Sequence, residues 1–292
     1  MPVTAQVRPN WKRSWLLRFV AGGRSLEFSS DKGPALKLVW NFTQGMAFDP
    51  STFELTVFGL SPEARAIAGR KGTVVELYAG YETQGRPLLY RGAIFWSQPV
   101  IEGADHGLRV QSAGGAAGRA VVSLPAGTSH DEVLTQILSA WASQLGLEIR
   151  RGTVQTPAGA IAQARTLRGT PEQLLRAWAD EHGLEADIVN GVCQAMPAGG
   201  STGERVIVLD ADTGLEGGPE PIMAGFGAMV FTPRGCRFQC RLNAEVRIGR
   251  RVRVRHQLIP GGQGDYIVRR VVSQGDTRGQ AWTMGIEATG PV

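Results

Sequence analysis

Residues 53–96 constrain the fold more than any other part of the chain, because strand-like runs and turn signals alternate there at short intervals. Residues 53–58 and 73–81 carry apolar side chains at every second position, which is the period of a half-buried β-strand. Residues 88–96 are mostly apolar on both faces, and the glycine and proline in residues 84–87 predict a tight turn before them. We therefore expect a hairpin with a further strand close to it.

A short helix is predicted between the first two of these strands. Ser61 can cap its free amides, Pro62 presets the backbone of its first turn, and Glu63 suits its positive end. Gly69 is expected to end the helix in the left-handed conformation that glycine tolerates. No acid, base or thiol in residues 53–96 is positioned as a catalytic group would be, so we interpret these residues as a structural framework.

The composition favours a turn-rich β protein. The chain has 292 residues, of which 39 are glycine, nearly twice the usual share of about 7%. This length is sufficient for two or three domains with cores of their own. The net charge of +5 is a mild basic excess. It is compatible with a nucleic-acid partner but too small to indicate one.

The apolar runs and the cysteines indicate a cytoplasmic protein without a membrane span. No apolar run reaches the roughly 18 residues that a spanning helix needs, and Arg18 interrupts the first run too early for a signal peptide. The odd number of cysteines, three, does not make a disulfide framework. We therefore expect synthesis and retention in a reducing cytoplasm.

The apolar period becomes helical in the middle of the chain. Ser129 and Glu132 form a predicted capping box, and Thr170 with Pro171 predicts a second helix start. The strings AWASQLGLE at residues 140–148 and AWADEHGLE at residues 177–185 indicate two helix-then-strand units of one kind. We expect the first strand to begin with residues 147–149, and Leu174, Ala177 and Trp178 to face inward in the second helix.

Strand-like runs lie on both sides of this helical part. Residues 1–10 are expected to be an arm, and residues 197–204 are a connector by composition. Short runs bounded by Gly, Pro, Asp or Asn then resume, including one at residues 224–231. The fold class is therefore mainly β with an α+β insert, in which two β-rich blocks flank a small helix-strand unit.

Residues that resemble chemical sites have simpler structural interpretations. Ser129, His130 and Asp131 are of the types found in a catalytic triad, but consecutive residues of a helical turn point in different directions, so we interpret them as a helix cap. Asp210-x-Asp212-x-Gly214 resembles the start of a calcium loop, yet Pro221 stands where a bidentate carboxylate is needed.

The cysteines likewise lack a metal-binding pattern. Cys236 and Cys240 are separated by three residues instead of the two common in zinc sites, and we interpret them, with Cys193, as buried apolar filler. We expect no catalytic residue, no cofactor and no metal, and hence not an enzyme.

The most informative charge pattern is a basic strand near the C-terminus. Arg251, Arg253 and Arg255 share one face of a strand whose other face carries Val252 and Val254. This stripe is either a site for phosphate or an acidic chain, or a solvated outer face that discourages aggregation. No aromatic residue is interleaved, so stacking of single-stranded nucleic acid is not indicated.

Three regions of the chain resemble the baseplate hub proteins of tailed bacteriophages. They are FELTVFGLSPE with GTVVELYAGY and LLYRGAI at residues 53–94, LNAEVRIGRRVRV at residues 242–254, and GDYIVRRVVSQGDTRGQAWTMGIEA at residues 264–288. Ala244 departs from this pattern, because many relatives carry proline there.

The resemblance implies two tube-type antiparallel β-barrel domains. We place the first barrel at residues 1–118, the α/β insert at 119–196 and the second barrel at 197–292, with exchange of strands between the barrels left open. It further implies a homotrimeric ring with pseudo-sixfold symmetry that joins the tail tube or distal tail ring to the central spike and lines the channel.

The implied partners are therefore other copies of the chain, the tail tube or distal tail protein, the central spike and the tape measure protein. DNA would pass through the channel without specific binding, and the protein would reside in the virion baseplate after assembly in the host cytoplasm. Arg251, Arg253 and Arg255 would then face a neighbouring subunit or the channel. Two alternatives stay open: a nucleic-acid-binding module that uses the basic strand, and a cell-wall-binding tail protein.

Overall fold

The computed structural model describes residues 12–32, 36–45, 51–83, 85–113, 118–224 and 232–290. The arm expected at residues 1–10, Gln84 of the predicted turn, and residues 225–231 of a predicted strand lie outside them.

The first β block contains seven strands and one helix. They are β1 (Arg13–Ala21), β2 (Arg24–Ser29), β3 (Lys37–Gly45), β4 (Thr52–Phe58), α1 (Pro62–Ala68), β5 (Val74–Tyr81), β6 (Leu88–Glu102) and β7 (Asp105–Ala113). The hairpin of β5 and β6 is antiparallel as predicted. Ser61 caps α1 through its side chain, which accepts from the amide of Ala64. The helix ends at Gly69 as predicted, but the expected left-handed conformation was wrong, because its φ is −80°.

The insert contains two helices and five strands. They are β8 (Ala120–Leu124), α2 (His130–Leu145), β9 (Arg150–Val154), β10 (Arg165–Gly169), α3 (Pro171–Glu181), β11 (Leu184–Val189) and β12 (Val192–Pro197). Strands β11, β12 and β9 form one sheet, and β8 pairs with β10 in another. The predicted capping box at Ser129 and the predicted helix start at Thr170 are both present, and Thr170 also forms a capping box with Gln173.

The predicted repeat within the insert is confirmed in its main features. Trp141 and Trp178 are both buried, and the glycines five residues after them, Gly146 and Gly183, have φ values of +62° and +64°. Two details were wrong. Ala177 is exposed, because it lies on the side of α3 away from the core, and the strand expected to begin with residues 147–149 begins at Arg150.

The second β block contains six strands. They are β13 (Ile207–Leu209), β14 (Leu215–Ala224), β15 (Thr232–Arg241), β16 (Arg251–Val254), β17 (Gly264–Asp276) and β18 (Trp282–Thr289). The sequence did not predict β14, because its Gly-Gly-Pro-Glu-Pro core has the composition of a loop.

The two β blocks form one sheet of 13 strands, joined between β3 and β17. The first half of β17 pairs with β16, and residues 270–276 pair antiparallel with residues 39–45 of β3. One apolar cluster spans both blocks, and Trp40 of β3 meets Trp282 of β18 edge to face at 4.8 Å between ring centroids. The predicted fold class, mainly β with an α+β insert, is confirmed. The division at residues 118 and 196 remains a prediction.

Asn190 attaches the insert to the first block. It occupies the predicted β11–β12 turn with φ +55°, ahead of Gly191 at +77°. Its side-chain oxygen accepts from Gln44 Nε2 at 3.0 Å and from the Arg91 amide at 3.1 Å, and its Nδ2 donates to the Leu89 carbonyl. The turn residue therefore also serves as the docking contact.

Candidate assembly surface

The predicted basic stripe lies on β16 and its continuation. Val252 and Val254 are buried in the shared core, whereas Arg253 and Arg255 are exposed and Arg251 is partly buried. Arg255 follows the end of the strand, and its amide donates to the Leu209 carbonyl. The alternation expected from the sequence is therefore present.

Arg253 is paired directly across the sheet. Asp265 stands opposite it in the β16–β17 register and accepts from Nε at 2.6 Å and from Nη2 at 2.7 Å. This bidentate contact lowers the pKa of Asp265 below its ordinary value and raises the pKa of Arg253. The central arginine of the stripe is consequently neutralised within the chain.

Arg255 also has acidic neighbours. It lines a cleft of about 560 Å³ together with Asp210 and Asp212. Asp210 is committed to its own turn, in which Oδ1 accepts from the amides of Asp212 and Thr213, so the predicted turn is confirmed. Arg253 is thus balanced by Asp265, and Arg255 shares its cleft with two carboxylates, so this part of the stripe carries no excess positive charge.

Arg250, which precedes the stripe, has a structural role. It is 8% exposed and forms an ion pair with Glu204 of the connector, which also binds Arg247. A buried guanidinium needs such a partner, since an uncompensated charge is costly in the interior. This contact fixes the connector onto the second block.

The residues that resemble a triad do not form a relay. Ser129 caps α2, Asp131 accepts from Arg151 at 2.5 Å, and the His130 ring meets His182 edge to face at 4.4 Å. The three side chains have separate partners, as helix geometry requires.

The three cysteines are free and buried. Burial raises the pKa of Cys193 and Cys240 to about 12 and that of Cys236 to about 11, so the thiols stay protonated. Within the residues that the structure covers, no group of three or more His, Cys, Asp or Glu side chains is arranged to hold a metal ion.

A second cationic surface was missed by sequence reasoning. Arg24 at the start of β2 and Arg70 and Lys71 of the α1–β5 loop line a cleft of about 310 Å³ that has no acidic side chain. Across the described ranges, none of these three side chains forms an ion pair. Their sequence neighbours give no signal, because the β1–β2 turn and the α1–β5 loop meet only in the folded chain.

An exposed aromatic pair lies next to this cleft. The pairing of β6 with β7 shifts between Ile94 and Trp96, so a bulge falls at Phe95. Phe95 is 51% exposed and Trp96 39% exposed. The Gly72 amide donates to the Ile94 carbonyl at 2.8 Å, which sets the α1–β5 loop beside these two residues.

No helix in the described ranges has both the length and the apolar character needed to cross a membrane.

Comparison with known proteins finds likeness in structure only. No family model matches the chain, and no curated protein matches it. The 43 kDa tail protein of prophage MuSo2 from Shewanella oneidensis is similar with a TM-score of 0.61 and 12% identity, over 94% of this chain and 96% of that one. The tail protein of Neisseria meningitidis MC58 is similar with a TM-score of 0.61 and 11% identity, over 96% and 97%.

A secretion-system protein shares the architecture. The E. coli c3393 protein, a component of the type VI secretion system with structural similarity to the T4 tail proteins gp27 and gp5, is similar with a TM-score of 0.62 and 12% identity. The likeness covers 88% of this chain and 73% of that one. The chain therefore has the mainly β fold of phage tail proteins, and the resemblance read from its sequence is confirmed at the level of fold.

Proposed function

We propose that this chain is a structural, non-enzymatic hub subunit of a phage tail baseplate. One observation carries the proposal: the match to two tail proteins extends over at least 94% of this chain and at least 96% of each of theirs. Both β blocks and the insert are therefore included in the likeness. Proteins that shared only one barrel would match over a smaller part of each chain.

The proposed assembly is a homotrimeric ring with pseudo-sixfold symmetry. The two β blocks of each chain, as tube-type barrels, would supply six similar units that match a sixfold tail tube or distal tail ring, while the threefold ring matches the central spike. The tape measure protein and the DNA would pass along its channel. The continuous sheet supports this arrangement, since it holds the two blocks of one chain at a fixed angle.

The basic stripe fits an assembly surface better than a nucleic-acid site. Arg251, Arg253 and Arg255 lie on one face of the strand, but Arg253 is paired with Asp265 and Arg255 shares its cleft with Asp210 and Asp212. Nucleic-acid affinity depends on cations free to displace counterions from phosphate. We therefore assign the stripe to a neighbouring subunit or to the channel wall, in a baseplate assembled in the host cytoplasm.

The proposal is tested by assembly with the predicted partners. The purified chain, mixed with the spike protein of the same tail, should co-elute as a complex and show threefold rings in negative-stain images. Failure to bind the spike protein and the distal tail or tube protein alike would contradict it. Duplex DNA and purified peptidoglycan serve as the competing ligands, and salt-sensitive retention on DNA that is lost in Arg251→Ala would instead support the nucleic-acid alternative.

A further inference from the structure

A threefold ring requires two different surfaces on each copy. A head-to-tail contact joins one patch of a subunit to another patch of its neighbour, unlike the self-complementary contact of a twofold dimer. Such patches are recognised by exposed apolar side chains with a polar rim. The inference below rests on the proposed trimer.

Exposed large apolar residues occur at three places in the described ranges. They are β6 with Phe95, Trp96 and Ile101, β8 with Val121, and the loop after β16 with Leu258.

The charges around these places select one complementary pair. The α1–β5 loop, which carries Arg70 and Lys71, is hydrogen-bonded to Ile94 next to Phe95, and these two cations share an acid-free cleft with Arg24. Val121 stands opposite the exposed Arg168 in the β8–β10 register, so its surroundings are basic as well. Leu258 shares its cleft with two carboxylates, Asp210 and Asp212, and one arginine. Only the Leu258 loop offers a negative rim to the basic β6 site.

The Leu258 loop is also held in one conformation. His256 Nδ1 accepts from the amides of Leu258 and Ile259 at 3.2 and 3.1 Å, and Gln263 Nε2 donates to the His256 carbonyl at 2.6 Å. The loop nevertheless leaves Leu258 85% exposed. An apolar tip fixed in this way loses little conformational entropy on docking, as expected of an anchor residue.

We propose that the β6 site of one copy, formed by Phe95, Trp96, Arg70 and Lys71, binds the Leu258 loop of the next copy. Leu258 packs on the two aromatic rings, and Asp212 faces Arg70 and Lys71. The two surfaces belong to different β blocks, so the contact is head to tail and three copies close the ring.

Disulfide trapping in the full chain tests the contact directly. In Trp96→Cys/Leu258→Cys the two new thiols are exposed, whereas the three native cysteines are buried and do not compete. Oxidation should give a covalent trimer on a non-reducing gel, and each single variant should stay monomeric on the gel. As matched control, Val121→Cys/Leu258→Cys should give no trimer.

Charge reversal supplies an independent measurement. Lys71→Glu and Asp212→Lys should each weaken trimerisation about tenfold or more, and the double variant should recover most of the loss. Wild-type protein that forms trimers while these variants leave the mass and the crosslinks unchanged would overturn the contact and leave the proposed hub intact. Wild-type protein that stays monomeric even with the spike protein would overturn both.

Discussion

The second β block is joined to the first through a ladder of backbone hydrogen bonds, whereas the insert is held on them by a few polar side chains. At the first junction, seven register pairs connect β3 with β17, and the apolar core continues across them. At the second, the polar contacts include the Asn190 amide and an ion pair between Arg269 and Glu185. A small apolar cluster around Leu147 accompanies them.

The difference indicates two levels of cooperativity. A shared sheet and core make the β blocks unfold as one unit, because neither can lose its edge strand without exposing the other's apolar face. The insert has its own apolar core between two helices and a small sheet. It should therefore open at a lower free energy than the rest of the chain.

The junction of the β blocks should be the most sensitive place in the molecule. Gly275 faces Trp40 in the β3–β17 register, and a Cβ at this glycine would overlap the indole ring. We expect Gly275→Val to lower the free energy of unfolding by about 3 kcal/mol or more, measured by chemical denaturation. Gly285→Ala in β18 is the control, since its Cβ would lie 3.9 Å from the nearest atom, and it should cost about 1 kcal/mol or less. Equal losses in the two variants would contradict this account of the junction.

The docking of the insert should be weakened by Asn190→Gly. Glycine keeps the positive φ of the turn but removes the amide that bonds to Gln44, Arg91 and Leu89. We expect a loss of about 1–3 kcal/mol, seen as faster amide exchange in β11 and β12 with unchanged exchange in β3 and β17. Faster exchange in both regions would show that the insert and the sheet unfold together.

Asp187 of β11 makes the insert sensitive to rising pH. Burial raises the pKa of its carboxyl to about 7, from an ordinary value of 3.8. The folded chain therefore keeps a proton that the unfolded chain releases, and stability falls as the pH rises from about 4 to about 7.

Asp187→Asn should remove this loss while keeping an oxygen for the Ile188 amide. We expect it to stabilise the insert by about 1–3 kcal/mol at pH 8 and hardly at all at pH 4, measured by thermal unfolding. A gain of the same size at both pH values would refute the ionisation argument.

The His130–His182 pair should give a smaller effect in the opposite direction. Burial, with the nearby His130, lowers the pKa of His182, so the unfolded chain binds a proton more readily than the folded one. Stability is then present above the ordinary histidine pKa of about 6.5 and is lost as the pH falls below it. His182→Gln should flatten this part of the thermal profile, with His106→Gln near the start of β7 as the control. An unchanged slope in His182→Gln would assign the loss to other groups.

Local elements were predictable from the sequence because their signals are local. The caps at Ser61, Ser129 and Thr170 depend on side chains that bond three residues away, and the Asn190-Gly191 turn depends on two residues that tolerate a positive φ. The strands of the β blocks were predictable because apolar residues recur at every second position. The exception is β14, whose glycine and proline content is typical of a loop.

The assembly surfaces were not predictable in the same way. The sequence singled out Arg251, Arg253 and Arg255 because they are adjacent, yet folding brings Asp265 against the middle one. The unbalanced cations Arg24 and Arg70 lie far apart in the chain and meet only when β1, β2, α1 and β5 pack. Contacts between distant segments of the chain decide which cations are paired and which are not, and the periodicity of the sequence does not predict such contacts.

The mass of the purified chain in solution, measured by light scattering alone and with the spike protein, tests the hub assignment most directly. We expect three copies in at least one of the two conditions, with Gly285→Ala assembling like the wild type. A folded chain that remains a monomer in both would restrict the likeness to the fold and contradict the assignment.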